Sequence, residues 1–93
     1  MRITKNIDFI QYFIDGHREQ KSCNHLYIEG DKLYNYSTVL LEEVGDSFVF
    51  NETKYSVTTS KLQTYIRRCL ENNRSKYVSV NNILINTQSL IGR

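Results

Sequence analysis

Cys23 lies between His17 and His25, and this trio is the first place in the sequence to look for chemistry. A thiol beside an imidazole can be deprotonated to attack a carbonyl, or it can ligate a metal. Covalent catalysis also needs a third group that orients the base, and backbone donors for the developing anion. The polar stretch from His17 to Asn24 has no Gly-rich turn to supply those donors. The His/Cys spacing fits no standard zinc pattern, and a fourth ligand is missing unless Cys69 folds in. A run of hydroxyls at Ser56, Thr58, Thr59 and Ser60 resembles a phosphate-binding helix start only superficially. Phosphate loops need glycines so that the backbone can approach the anion, and none lies between Gly45 and Gly92. Glu42 and Glu43 are adjacent, so in a strand they point to opposite faces and make a poor acid–base pair. The expectation is a non-enzymatic binding protein with no catalytic residues, no metal and no cofactor.

Charge is the stronger signal. Formal net charge is only +2, but the distribution is uneven. Between residues 29 and 52, Glu29, Asp31, Glu42, Glu43, Asp46 and Glu52 face a single base, Lys32. Between residues 61 and 76, Lys61, Arg67, Arg68, Arg74 and Lys76 face only Glu71. Two readings stand open: separate partner-binding surfaces, or mutual neutralisation within one small domain. As a partner surface, Glu29, Asp31, Glu42, Glu43 and Asp46 would mimic the field of nucleic acid. The basic set would bind phosphates, with Tyr65 or Tyr77 stacking on a base, or would bind an acidic protein.

The elements that must position these residues follow from periodicity. Ile7, Phe9, Ile10, Phe13 and Ile14 recur at helical spacing, which predicts a helix from about Asn6 to Gly16. Asn6 is its expected N-cap and Gly16 its left-handed end. Residues 17–24 read as a connector. Leu26-Tyr27-Ile28 and Lys32 to Tyr36 flank a Gly30 hairpin turn. Thr38–Val44, Ser47–Phe50 and Lys54–Val57 read as further strands, with a tight turn over 44–47. The run Val39-Leu40-Leu41 breaks alternation, so either both faces are covered or a bulge sits there. Leu62, Tyr65, Ile66, Cys69 and Leu70 predict a second helix from about Ser60 to Asn72, capped by Thr58, Thr59 or Ser60. Tyr77–Val80 alternates as a strand, and residues 81–91 read as strand or short helix. The fold class is α+β: an N-terminal helix, an antiparallel three- to four-stranded meander, a second helix and a C-terminal β segment. A 93-residue chain without a linker suits one domain over 1–93.

Composition sets the class. Hydrophobic residues are 40% and charged residues 24%, ordinary for a globular protein. No apolar run approaches the roughly 20 residues needed to span a bilayer. Two distant cysteines and no apolar stretch behind Met1 imply reduced thiols in a cytosol.

Two stretches carry a resemblance. Tyr34-Asn35-Tyr36-Ser37-Thr38, then Asn51-Glu52-Thr53-Lys54-Tyr55-Ser56-Val57-Thr58-Thr59-Ser60-Lys61, resembles a domain of unknown function found in small bacteriophage and viral proteins. Its pattern runs roughly Tyr-Ser-Tyr-Gly-Thr, then Asn-x-Thr-Lys-Tyr-Ser-x-Thr-Thr-Ser-Lys-x-Gln, and the match spans about residues 26–70. Here Ser37 stands in place of the usual Gly and Leu62 in place of a common His. The family has no agreed activity, so the resemblance implies a viral setting and a host bacterial cytoplasm. Within the motif, Tyr36 and Tyr55 would pack across strands, while Lys54, Thr58, Thr59, Ser60 and Lys61 could form a polar contact surface. The resulting expectation is a phage-type accessory protein, monomer or homodimer. It would bind and inhibit a bacterial defence protein or ribonucleoprotein complex, as anti-CRISPR proteins do. The alternative is a nucleic-acid-binding accessory factor that uses the basic helix.

Overall fold

Phe9, Ile10 and Phe13 form the buried stripe of α1, Asn6–Ile14, and Asp8 and Asp15 on the same segment face water. The computed structural model describes residues 3–83. The N-cap of α1 is Lys5, not Asn6, and no side chain caps it. The Asn6 side-chain oxygen is instead taken by Asn24 Nδ2, which donates to it at 2.8 Å. Gly16 ends the helix at φ +110°, as its sequence position implies.

Six strands form one sheet in sequence order: β1 Lys21–Cys23, β2 Leu26–Glu29, β3 Lys32–Asn35, β4 Thr38–Val44, β5 Ser47–Asn51 and β6 Lys76–Val80. The first five pair antiparallel through two-residue turns. Gly30 at φ +61° and Gly45 at φ +59° supply the left-handed residues of two of those turns. The chain then crosses through α2, Val57–Asn72, and β6 returns parallel to β5. The architecture is α+β as expected, with β6 as the C-terminal β segment, but the antiparallel meander has five strands where three or four were expected. β1 escapes detection because only three residues pair, and only Cys23 among them is buried. The final meander strand expected at Lys54–Val57 does not form. Asn51 ends the ladder: its Oδ1 accepts from the Thr53 amide at 3.0 Å and bends the chain out of the sheet.

Helix α2 begins three residues earlier than its apolar stripe suggests. Ser56 is the cap, accepting from the Thr59 amide at 3.2 Å, so Thr58, Thr59 and Ser60 lie inside the first turn. At the other end Asn73 keeps φ −91°, and Arg74 takes the left-handed position. The Asn73 amide is occupied elsewhere, donating to the Cys69 carbonyl and to Gln11 of α1.

The main core lies between the helices and one sheet face. Phe9, Phe13, Ile66 and Leu70 meet Ile28, Leu33, Leu41 and Phe50 there. Each such side chain contributes about 1.5–3 kcal/mol by leaving water. A bulge explains the Val39-Leu40-Leu41 run. Leu33 pairs with Leu41 while Tyr34 pairs with Val39, so Leu40 is the extra residue and joins Leu41 in the main core. The opposite face carries a smaller cluster of Tyr34, Val39 and Ile83, with Tyr27 stacked on Tyr34 at 4.6 Å. Asn81 to Ile83 are irregular; the rest of the 81–91 expectation lies outside the described residues. Among the described residues no helix is long and apolar enough to cross a membrane.

Candidate binding surface

The two motif stretches, far apart in sequence, meet at the junction of the β3–β4 turn and the start of α2. Asn51 is the hub. Its Nδ2 donates to the Val39 carbonyl at 3.0 Å and to Tyr55 Oη at 2.9 Å. Tyr55 Oη in turn donates to the Ile83 carbonyl at 2.6 Å. Gln63 Nε2 donates to the carbonyls of Asn51 and Thr53, both at 2.8 Å. On the other side of the junction, Ser56 Oγ donates to Thr59 Oγ1, and Thr59 Oγ1 donates to Asn35 Oδ1 at 3.3 Å. Asn35 Nδ2 reaches the His25 carbonyl at 3.4 Å. No buried side-chain polar atom among the described residues lacks a partner. Half of the motif is therefore a satisfied polar frame, which low local dielectric makes stiff.

The frame surrounds an open cavity of about 320 Å³. Leu40 lines it, Tyr36 and Tyr55 supply rings, and Asn35, Ser56 and Thr59 contribute polar atoms. Tyr36 stands at its rim, 62% exposed. Its backbone is left-handed at φ +57°, a conformation that costs an L-residue about 1–2 kcal/mol. Two contacts hold it there: its amide donates to the His25 carbonyl at 2.9 Å, and its ring stacks on the His25 imidazole at 4.5 Å. The expected Tyr36–Tyr55 cross-strand packing is thus replaced by a Tyr36–His25 stack. Next to Ser56, Val57 is 82% exposed, the most exposed large apolar residue described.

The acidic set is not one face. Glu29, Asp31 and Asp46 are exposed, but Glu42 is only 2% exposed. Arg18 sits among the acids, 2.6 Å from Glu43 and 3.9 Å from Asp31, with its guanidinium over the Phe13 ring. The basic set is divided too. Lys61, Arg68, Arg74 and Lys76 are exposed, whereas Arg67 is paired with Glu52. Hydrogen bonds from Ser79 and Arg67 pull the Glu52 carboxyl below its ordinary pKa, and Glu52 reciprocally raises Arg67. Of the motif residues, Lys54 and Thr58 are exposed, Ser60 is half-buried, and Thr59 is buried in the frame. Asn35, Tyr36 and Val57 were absent from the charge-based candidates. A signal for two of them existed: Tyr36-Ser37 lies at a hairpin tip between two strand runs, and a Ser56 cap puts Val57 in an exposed first turn.

The Cys/His trio does not assemble. His17 stacks on Tyr12 and His25 on Tyr36. Cys23 and Cys69 are both buried, and burial, aided by nearby aspartates, pushes both thiols above their ordinary pKa. Among the described residues no group of three potential ligands could hold a metal. The chain matches no family model, no curated protein and no solved structure.

Proposed function

We propose that this chain works stoichiometrically, by binding a protein, as a phage-type accessory factor that inhibits a bacterial defence effector. One observation carries the binding part: Tyr36, largely exposed, stands at a cavity whose walls come from both motif stretches, and Val57, the neighbour of the lining residue Ser56, is exposed as well. Exposed apolar side chains on a rigid base are the kind of anchor that dominates protein interfaces. Tyr36 is held by a backbone bond and a ring stack, so little side-chain entropy remains to be lost on binding. The viral and inhibitory parts rest on the motif resemblance. The favoured surface is this aromatic patch rather than the acids, because Arg18 draws in Glu43 and Asp31 and Glu42 is buried.

The test is capture on the tagged chain from bacterial lysate, with and without nuclease. The expected outcome is a protein recovered equally in both arms and reduced about tenfold or more by Tyr36→Gly with Val57→Ser. The alternative, nucleic-acid binding, draws on the exposed Lys61 and Arg68 of α2 with Lys54 nearby. It predicts recovery that nuclease abolishes and that Lys61→Ala with Arg68→Ala weakens in a salt-dependent way.

A further inference from the structure

We infer that the cavity beside Tyr36 is a socket for one uncharged aromatic or branched aliphatic side chain of a protein ligand. The inference rests on the protein-binding reading above and adds the chemistry of what is recognised.

Three features select that occupant. The first is charge. No lining residue carries a carboxylate, ammonium or guanidinium group. A charged head entering the cavity would lose water and gain no counter-ion, which disfavours it relative to an uncharged group. The second is shape and size. At about 320 Å³ the cavity sits at the bottom of the range for small-molecule pockets, about 300–1,000 Å³. That suits a single large side chain better than an extended ligand. The third is lining. The rings of Tyr36 and Tyr55, backed by the buried Leu40, present aromatic surface, which favours ring or branched aliphatic groups.

The socket is also built in advance. Asn35, Ser56 and Thr59 are tied to one another across it, and Tyr55 is anchored between Asn51 and Ile83. Each of these side chains already has a hydrogen-bond partner within the chain, so an incoming apolar group need not break those bonds. The wall does not have to reorganise to accept a ligand.

The test is amide NMR of the full chain, titrated with N-acetyl-phenylalanine methylamide and N-acetyl-leucine methylamide. The lysine and aspartate analogues serve as charged controls. Saturable shifts are expected at Asn35, Leu40, Ser56 and Thr59 with the two apolar probes and not with the charged ones. Tyr36→Gly is the informative variant, because glycine suits φ +57° and the fold is not put at risk. It should weaken apolar binding about fivefold, in line with the loss of one aromatic wall. Lys61→Ala should leave it unchanged. The inference is overturned by no saturable shift, by equal response to the charged probes, or by shifts that ignore Tyr36→Gly. Concentration-dependent shifts at the same amides without probe would assign the socket to a second copy and also overturn it. If the probes fail while lysate capture still depends on Tyr36 and Val57, the socket falls and the protein-binding reading stands.

Discussion

Asn51 is fully buried, and its one side-chain amide is committed to the Val39 carbonyl, the Tyr55 hydroxyl and the Thr53 amide. Removing it would take one hydrogen bond each from the Val39 carbonyl, the Tyr55 hydroxyl and the Thr53 amide. Asn51→Ala should therefore cost about 2–4 kcal/mol in urea unfolding, far more than an exposed substitution such as Asn72→Ala. Glu52, its neighbour, gives the acid dependence. Its folded pKa lies below the ordinary 4.5, through hydrogen bonds from Ser79 and Arg67. A depressed carboxyl contributes stability that is present above the unfolded pKa and lost as pH falls through the folded one. Stability should thus decline below about pH 4.5, and Glu52→Gln should flatten that limb in denaturation measured from pH 6 down to pH 3. The cysteines give the opposite kind of expectation. Both thiols are buried and shifted upward, so a thiol reagent at pH 8 should label the native chain slowly and the denatured chain fast.

The beginning of α2 carries the clearest element-scale prediction. Ser56 alone accepts from a first-turn amide, and its hydroxyl also reaches Thr59 Oγ1. Ser56→Ala should cost about 1 kcal/mol, whereas Thr58→Ala, exposed and inside the helix, should change stability by less than about 0.5 kcal/mol. The experiment is a pair of thermal melts. Four hydroxyl-bearing residues within 56–60 gave the periodicity no reason to prefer one cap. In the folded chain the hydroxyl of Thr59 is engaged by Asn35 and Ser56 takes the cap position. The β3–β4 turn follows the same logic. Its strands were legible from alternation, but the left-handed Tyr36 depends on His25 from the preceding hairpin.

At the scale of the whole chain, Arg18 ties the end of α1 to the sheet. Its Nη1 donates to the Phe13 carbonyl, its Nε and Nη2 reach Glu43, and its plane covers the Phe13 ring. Arg18→Ala should lower stability by about 1–3 kcal/mol in urea unfolding, and Arg68→Ala by much less. Small domains hold only about 5–15 kcal/mol in total, so the first loss would be visible as a lower midpoint. Long-range ion pairs of this kind also show why the uneven charge along the sequence does not become two uniform faces. Arg18 lies among the acids, and Glu52 pairs with the basic helix.

Local periodicity was enough for α1, α2, the β2–β5 meander and the α+β class, because each of those elements has its own apolar stripe or alternation. At Val39-Leu40-Leu41, three apolar residues in a row cannot alternate, which left either two covered faces or a bulge; the register between β3 and β4 shows the bulge. The tertiary structure alone decided the short β1, the parallel return of β6 and the end of the ladder at Asn51. Those features depend on partners distant in sequence rather than on pattern. It also decided that Glu42 and Thr59 are buried while Tyr36 and Val57 are exposed. Residue type records what a side chain can do; exposure and company are set by what the folded chain places beside it.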